Sequence, residues 1–470
     1  MTFASFKNAR IVRSGWLEEG GRRLDCNPYM SGALEARDTL NGLDCPKDKL
    51  SEVTLGMFDS GRESRNWVED PNYGTRYMGS SAISLADLSA LPLISNKQVA
   101  KNKKLLIEEG WSLITRSGTI GRMAYVRPDM AGLACSEDVL RVVPNPESIP
   151  PGYLYAFLSS RYGVPLVVSG TYGAIIQHIE PKHIADLPVP RLSPSLESEV
   201  HSLIVEAGDR RATAAINLSL AQSLLLDAIG QPSHLPSNAP VQIRQTRVVA
   251  LSDIQQSMRM EGNFYNPTAA HVEKWARSSP NCTELGVVAN VYDVPPFKHI
   301  YVDEGNGVPF FTSGELFDLD RVATKFLAKG RTVNLHKYIL ERDWVLLARS
   351  GQLGGIIGRP QYADSALDGA ATSDHVIRLV PKGIPGGYLF AYLYSSAVGY
   401  PLLTRCVTGH SIPALWPSQL NSLPVVLAEP ETMETISRVV VDAFENRVKA
   451  TSLEKEARQI IERAIEKIGG

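Results

Sequence analysis

Two stretches of the chain, residues 196–229 and 433–468, repeat apolar or small residues at alternating spacings of four and three. This spacing places the repeated residues on one face of an α-helix and is typical of a coiled-coil seam. Neither stretch contains proline, and together they contain one glycine, Gly208. The pattern predicts two long helices, each about 50 Å in length at a rise of 1.5 Å per residue.

The two seams match position for position at a constant offset of 236 residues, including one arginine in each. Small residues at alternate seam positions allow two helices to approach closely. We therefore expect the helices to pack antiparallel on each other about a pseudo-twofold axis. The seam residues are Val200, Ile204, Ala207, Arg211, Leu218 and Leu225 in the first helix and Ile436, Val440, Ala443, Arg447 and Ile461 in the second.

The repeat extends over the remainder of the chain, because residues 1–235 and 241–470 follow one another at an offset of 233 to 237. The strongest match is GWSLITRSGTIG against DWVLLARSGQLG, and SEDVLRVVP likewise matches SDHVIRLVP. Further along, GYLYAFLSS matches GYLFAYLYSS. A weaker match near the start of each copy pairs Arg23 with Arg259, Asn27 with Asn263 and Tyr29 with Tyr265. Self-similarity of this length indicates a duplicated structural unit.

The repeated motifs predict strands that run into glycine turns, further strands that end at proline, and a short amphipathic helix in each copy. The fold class is therefore α+β: two mixed α/β domains separated by two long antiparallel coiled-coil helices, with a pseudo-twofold internal repeat. We predict globular domains at 1–191 and 241–428, helices at 192–230 and 429–470, and a proline- and serine-rich linker at 231–240.

Composition narrows the functional classes. Hydrophobic residues make up 44% and charged residues 21% of the chain, as in ordinary globular proteins. The start of the chain lacks the apolar core of a signal peptide and no long apolar run occurs, so we expect a cytoplasmic protein without a membrane span. The five cysteines are scattered without a C-x-x-C pair, which indicates neither a disulfide framework nor a zinc site. A net charge of −2 requires any nucleic-acid binding to come from local basic patches or from a partner.

Two sets of residues are candidates for contact with phosphate groups. The RSG turns present Arg116 and Ser117 in the first copy and Arg349 and Ser350 in the second, with glycine amides able to bind phosphate. The alternative is a structural β-turn whose glycines supply positive φ. Basic residues before the tryptophan strand form the second set, for which the alternative is a solvated surface. They are Lys97, Lys101, Lys103 and Lys104 in the first copy and Lys325, Lys329, Arg331 and Lys337 in the second.

The two copies differ most at 58–77 and 292–311, which are rich in Arg, Asn, Asp, Lys and Tyr. Catalysis is not expected. His178, His183 and His410 lie near glycine turns, but no H-E-x-x-H spacing is present. The sequences CNPYM and YNPTA lack the second proline of a methyltransferase N-P-P-Y motif, and no phosphate-binding P-loop occurs.

The order of RSGTIG, GYLYAFL and HIEPKHIADLPVP, two globular domains and two long helices resembles the specificity subunits of type I restriction-modification systems. The resemblance implies that each globular domain is a target recognition domain that reads one half of a bipartite site in double-stranded DNA. Base-reading residues are then expected where the copies differ most, at 58–77 and 292–311. The resemblance also implies that the helices set the half-site spacing and dock two methyltransferase subunits, alongside restriction and translocase subunits. S-adenosylmethionine and ATP are then expected on those partners, and this chain itself holds no cofactor or metal.

Two departures from the family pattern occur, CNPYM in place of the family-like GNFYN and TGHSIPAL opposite YGAIIQHI. Two other interpretations also stay open. One is a specificity factor of another phage-defence complex, which the sequence does not distinguish from a type I subunit. The other is a nucleic-acid enzyme, such as a nuclease that uses Arg116 and His178.

Overall fold

A computed structural model describes residues 14–19, 29, 31–169, 178–232, 248–409 and 411–469. Several sequence features lie outside these residues: Arg23, Asn27, His410 and most of the predicted linker and of YGAIIQHI. The chain divides into two compact units. Unit 1 is the described part of Met1–Ala212 together with Ala450–Gly470, and unit 2 is that of Thr213–Lys449.

Unit 1 contains six short helices and ten strands among its described residues. The helices are α1 (Ser14–Glu19), α2 (Ala33–Asn41), α3 (Asn96–Lys101), α4 (Pro151–Leu158), α5 (Gly163–Ser169) and α6 (Pro181–Ile184). The strands are β1 (Lys47–Lys49), β2 (Thr54–Phe58), β3 (Trp67–Val68), β4 (Gly74–Met78), β5 (Leu93–Ser95), β6 (Ser112–Thr115), β7 (Met123–Tyr125), β8 (Ala134–Cys135), β9 (Val139–Pro144) and β10 (Pro188–Pro190). The long helix α7 (Pro194–Ile229) begins in this unit.

Unit 2 has the same sequence of strands. Its helices are α8 (Leu251–Ser257), α9 (Pro267–Ser278), α10 (Leu285–Val288), α11 (Gly386–Tyr394), α12 (Gly399–Arg405), α13 (Pro417–Leu420) and the first part of α14 (Pro430–Gly469). Its strands are β11 (Cys282–Glu284), β12 (Ala289–Tyr292), β13 (Tyr301–Val302), β14 (Gly307–Phe311), β15 (Lys325–Ala328), β16 (Val345–Ala348), β17 (Pro360–Tyr362), β18 (Ala371–Thr372), β19 (Val376–Pro381) and β20 (Pro424–Val426).

The strand orders of the two units correspond throughout. Unit 1 has a main sheet β2-β9-β6-β7, a second sheet β3-β5-β4-β8 and the pair β1-β10. Unit 2 has β12-β19-β16-β17, β13-β15-β14-β18 and β11-β20. In both second sheets the last pair, β4 with β8 or β14 with β18, is parallel, and all other pairs are antiparallel. The predicted α+β fold with an internal repeat is confirmed.

The short helices α4 and α11 form the centre of their units. The predicted helices are present, but the prediction that they are amphipathic was wrong, because Gly152 through Leu158 and Gly386 through Leu393 are all buried. Each helix packs against the main sheet and also against a long helix. In unit 1, Tyr153 shares a hydrophobic cluster with Leu140 and with Ile204. A helix covered on both sides has no exposed face that would require polar residues.

Each long helix begins two or three residues before its periodic stretch, at Pro194 and Pro430. Proline suits the first turn of a helix, because its missing N–H would have no intrahelical partner there. In unit 1, Ile204 clusters with Ile461, and Ala207, one turn later, clusters with Ala450. Residue numbers fall along α14 as they rise along α7, so the two segments are antiparallel, as predicted.

The seam residues are buried with one exception. Arg447 is half-buried and lies over the ring of Phe444, with 5.1 Å from the guanidinium carbon to the ring centre. The buried set comprises Val200, Ile204, Ala207, Arg211, Leu218, Leu225, Ile436, Val440, Ala443 and Ile461. In unit 2 the seam residues Leu218, Leu225, Ile436 and Val440 belong to the same cluster as α11. The long helices therefore pack on the globular parts as well as on each other.

Unit 1 contains a buried ion pair between the long helices. Arg211 of α7 binds Glu454 of α14, and their side chains are 5% and 1% exposed. The hydroxyl of Tyr155 lies 3.5 Å from the second carboxylate oxygen of Glu454. Nearby, Arg127 is buried and binds Asp129 at 2.7 Å, and burial lowers the pKa of Arg127. Buried charges of this kind require partners, because an unpaired charge away from water is costly.

Among the described helices, α7 is long and apolar enough to cross a membrane on composition alone, with a mean hydropathy of 1.3 over its most apolar window. Soluble proteins with a buried core helix meet the same criterion. In α7 the seam residue Leu225 is fully buried, and the Gln222 side chain donates to the carbonyl of Ala391 at 3.0 Å. Of the most apolar window of α7, 28% is buried within the protein.

Candidate nucleic-acid interface

The RSG turn of unit 1 is held by contacts within the protein. The Arg116 guanidinium binds the Asp59 carboxylate at 2.8 Å and donates to the carbonyl of Ile179 at 3.0 Å. The Ser117 hydroxyl donates to Asp138 at 2.5 Å. Gly121 has φ +83°, and an added Cβ would lie 2.6 Å from Val168. The turn therefore has its charge neutralised and its backbone conformation fixed by glycine.

The RSG turn of unit 2 repeats this arrangement with one exchange. The Arg349 guanidinium binds Asp293 at 3.1 Å, so Asp293 takes the place of Asp59. The Ser350 hydroxyl lies 3.5 Å from a ring nitrogen of His375, which stands where unit 1 has Asp138. Arg349 also lies 5.6 Å from the ring centre of Trp416. The acidic partners of both arginines were not identified from the sequence, although each follows its strand β2 or β12 at the same position.

We expect Arg116→Ala to lower the stability of unit 1 by about 1–3 kcal/mol, because it leaves Asp59 without its charged hydrogen-bond donor. The salt dependence of DNA binding should not change, since an arginine that is already neutralised releases few counterions. Thermal unfolding and binding titrations at several salt concentrations measure the two effects. A flattened salt dependence with unchanged stability would instead support a phosphate contact.

Next to each RSG turn, a fully buried arginine donates hydrogen bonds to backbone carbonyls. Arg141 on β9 donates to the carbonyls of Ser136 and Val139 at 2.7 and 2.6 Å, and Arg378 on β19 contacts the equivalent carbonyls of Ser373 and Val376. Burial lowers the pKa of Arg378 to about 10, so it stays charged at neutral pH. These arginines hold the segments that lead into β9 and β19, beside Ser117 and Ser350. They were not among the predicted site residues.

The basic residues of unit 1 lie on α3 and on the 3₁₀ turn that follows it, Lys103–Leu105. Lys97, Lys101, Lys103 and Lys104 are exposed, and no carboxylate of the described residues forms an ion pair with them. The two lysines of α3 are four residues apart, which places them on one side of the helix. The predicted lysines are therefore free to meet an external anion.

Two side-chain amides join these lysines to the segment at 60–67. Gln98, which is buried, accepts from the N–H of Asn66 and donates to the carbonyl of Ser64, both at 2.9 Å. Asn102 donates to the carbonyl of Ser60 at 2.9 Å. The lysine segment and the start of β3 consequently form one continuous surface, which we call the basic face of unit 1. No pattern in the sequence indicated these long-range hydrogen bonds.

In unit 2 the corresponding basic residues are separated. Lys325 is half-buried and binds Glu315 at 3.3 Å, so its charge is already paired within the protein and is less available to an external anion. Lys329, Arg331 and Lys337 are exposed after β15. Instead of an amide, an aromatic contact joins them to the segment before β13, because Phe297 stacks on Tyr338 with ring centres 3.7 Å apart. The equivalent face of unit 2 is therefore less basic and more aromatic.

The segments expected to read bases, 58–77 and 292–311, each contribute two strands to a second sheet, β3 with β4 and β13 with β14. The strand at the sheet edge presents a large exposed ring in each unit, Trp67 on β3 and Tyr301 on β13. The sequences WVEDPNYG and YVDEGNG share an aromatic residue, a valine, two acids and a glycine. That short match could have shown the equivalence, but it lies in the region where we expected the copies to differ most.

The histidines have structural surroundings where they are described. A ring nitrogen of His183 accepts from the backbone N–H of Glu180 at 3.2 Å and closes the first turn of α6. His178 is half-buried next to that segment. Among the described residues no group of three or more potential ligands is arranged to hold a metal ion. Burial raises the pKa of Cys135 and that of Cys406 to about 11, which keeps both thiols protonated at neutral pH.

By its fold the chain is an internally duplicated α+β protein, with two units of one topology that share two long helices. The sequence matches no protein-family model, and no curated protein matches it. Solved structures similar to it include the S subunit of a type I restriction-modification system from M. genitalium, with 13% identity, 91% of this chain and 96% of that chain covered, and a TM-score of 0.38.

Two further similar structures belong to the same kind of system. The HsdS subunit from Thermoanaerobacter tengcongensis has 16% identity, covers 89% of this chain and 96% of its own, and has a TM-score of 0.27. A chain from work on complex assembly and conformational transition of the type I restriction-modification system has 16% identity, 89% and 97% coverage, and a TM-score of 0.28. All three TM-scores are below 0.5.

Proposed function

We propose that the chain is the DNA-specificity subunit of a type I restriction-modification complex, in which each unit binds one half of a bipartite DNA site. The observation that carries this proposal is the repetition of one topology, with an exposed aromatic residue and exposed basic residues at the corresponding place in each unit. Two similar readers in one chain suit a DNA target made of two separate half-sites. The order of the sequence motifs also supports this assignment.

We propose that catalysis takes place on partners. Two methyltransferase subunits would bind S-adenosylmethionine and modify adenine at N6, and restriction and translocase subunits would use ATP. This chain would contribute no cofactor and no catalytic residue. Its buried arginines and the capping residue His183 stabilise turns and a helix, in keeping with a binding role. Such a complex would act in the cytoplasm, where its DNA substrate lies.

The two units differ in charge, which bears on how each one binds. Residues 59–104 contain seven basic and five acidic residues, whereas the corresponding residues 293–337 contain six of each. Phosphate contacts determine most of the salt dependence of DNA binding. We therefore assign the larger share of the electrostatic attraction to unit 1.

The basic face of unit 1 provides the direct test. In a complex of the full chain with its proposed adenine methyltransferase partner, we expect each of Lys97→Gln, Lys101→Gln, Lys103→Gln and Lys104→Gln to weaken binding alike on all DNA sequences. Removal of a single lysine–phosphate interaction should reduce the slope of log K against log salt by about one. Binding titrations between low and moderate salt measure this slope.

The matched control is Lys274→Gln, which removes one exposed lysine from α9, away from the second sheet of its unit. We expect no change in slope for this variant. If all five variants had the parental slope, the basic face would not contact DNA. If the assembled complex neither bound nor methylated DNA at all, the proposed function itself would be wrong.

A further inference from the structure

In the second sheet of unit 1, an exposed aromatic ring packs against a buried one. Trp67 on β3 pairs with Ile94 on β5, and its indole meets the Tyr77 ring edge to face, with ring centres 5.3 Å apart and planes at 88°. Tyr77 is buried in a cluster with Ile94, while Trp67 is 52% exposed. The indole is therefore supported from below and open to solvent above.

The same pair recurs in unit 2 at the same register. Tyr301 on β13 pairs with Leu327 on β15, the counterpart of Ile94. Its ring lies 6.0 Å from that of Phe310, which is buried and pairs with Ala371 as Tyr77 pairs with Ala134. Tyr301 is 48% exposed, nearly the same fraction as Trp67. Two different aromatic residues thus occupy one structural position.

The orientation of each exposed ring is fixed by its neighbour on the strand. Successive side chains of a strand point to opposite faces. Val68 and Val302 follow the aromatic residues and face Gly74 and Gly307, where an added Cβ would lie 2.6 and 2.8 Å from the valine side chains. Only a glycine leaves room for the valine side chain at this position. The valine therefore fixes which face of the sheet each residue of the strand occupies, and the aromatic residue lies on the opposite face.

Each exposed ring adjoins a segment that carries exposed basic residues. In unit 1, Gln98 ties residue 66, next to Trp67, to α3, which carries Lys97 and Lys101. In unit 2, Lys298 is exposed just before Tyr301, and the Tyr301 hydroxyl contacts His299 at 3.3 Å. A flat apolar surface next to positive charge complements a polyanion that also has flat apolar faces, which is the chemistry of nucleic acid.

We propose that Trp67 and Tyr301 each insert their ring beside a base pair of the half-site bound by their own unit and stack on the base face that this local unstacking exposes. This inference rests on the proposed DNA-binding function and extends it to named residues. The indole N–H and the phenol hydroxyl have different hydrogen-bonding capacity, so hydrogen bonding is not the property that the two positions share. What they share is a rigid ring with few rotatable bonds, held in place by a second ring.

The test uses the full chain assembled with its methyltransferase and DNA that contains both half-sites. Base stacking on an aromatic residue contributes enough that its loss should weaken binding roughly ten- to a hundredfold. We expect Trp67→Ala to weaken binding by this factor through the loss of contact with one half-site. Tyr301→Ala should have the same effect through the other half-site. Trp67→Phe should retain most of the affinity, since a flat ring remains. The fluorescence of 2-aminopurine placed at successive positions should locate each stacked base.

The controls separate failure of this inference from failure of the proposed function. Leu55→Ala on β2 and Val287→Ala on α10 remove exposed apolar side chains away from the second sheets, and we expect unchanged binding. Thermal unfolding of each variant checks that the fold is intact. If the parental complex binds its site and both alanine variants of the rings bind equally well, the rings do not stack on bases. If the parental complex does not bind DNA, the proposed function fails first.

Discussion

Exchange of residues 241–428 for the matching segment of a related subunit is expected to change one half of the methylated DNA sequence completely and to leave the other half unchanged. The reason is that unit 2 has its own main sheet, second sheet and hydrophobic cluster. Each mismatched base pair costs about 1–3 kcal/mol in a specific complex. A half-site of several base pairs is therefore discriminated by orders of magnitude, and the change should be nearly total.

The structure shows which contacts such an exchange must keep. Glu445 on α14 binds the Arg342 guanidinium at 2.8 Å and accepts from the Ser365 hydroxyl at 2.6 Å. The Gln222 side chain on α7 donates to the carbonyl of Ala391. A donor segment with compatible residues at 342, 365 and 391 should fold on the existing helices.

Sequencing of N6-methyladenine in the genome of a host that expresses the hybrid measures the outcome. The reciprocal exchange of residues 1–191 should change the other half alone and serves as the control. A change in both halves after a single exchange would contradict independent recognition by the two units. No change in either half would place the specificity outside the exchanged segment.

The second large effect is expected at the buried ion pair between the long helices in unit 1. Glu454→Ala leaves the Arg211 guanidinium, which is 5% exposed, without its carboxylate partner. Removal of one member of a buried pair typically costs about 3–5 kcal/mol, because the remaining charge is desolvated and uncompensated. We expect the unfolding transition of unit 1 to fall markedly in denaturant or temperature, and a calorimetric scan that resolves the two units would show it.

Glu206→Ala is the matched control, since Glu206 binds Arg210 at 2.8 Å on the surface of α7, the helix that carries Arg211. An exposed pair of this kind contributes at most about 0.5 kcal/mol. The double variant Arg211→Met with Glu454→Leu should recover most of the stability, because an apolar pair satisfies the buried site without charges. Equal losses for Glu454→Ala and Glu206→Ala would mean that burial of the pair is not decisive.

The resemblance of the two long helices in sequence does not extend to their charges. Arg211 and Arg447 match at the offset of 236, but the residue that matches Glu454 in α7 is Leu218. Arg211 is buried against Glu454, while Arg447 is half-buried over Phe444. The pseudo-twofold symmetry that the seams predicted is therefore broken at this one pair.

The sequence by itself determined the long helices, the duplication and the strands of the main sheets. Helical periodicity and strand alternation are local properties, so Val139–Pro144 and its counterpart Val376–Pro381 could be recognised from a few neighbouring residues. The lysines after β5 were also visible as a local run. Only the structure showed that these lysines are exposed and available to an anion.

Only the tertiary structure decided which side chains meet. The second sheets contain strands of two residues, such as β3 and β13, which are too short to show any period. The Asp59 partner of Arg116 and the Gln98 bridge to residues 64 and 66 join positions that are far apart in the chain. Such contacts depend on how sheets and loops pack, and packing is a property of the whole unit that no short stretch of sequence encodes.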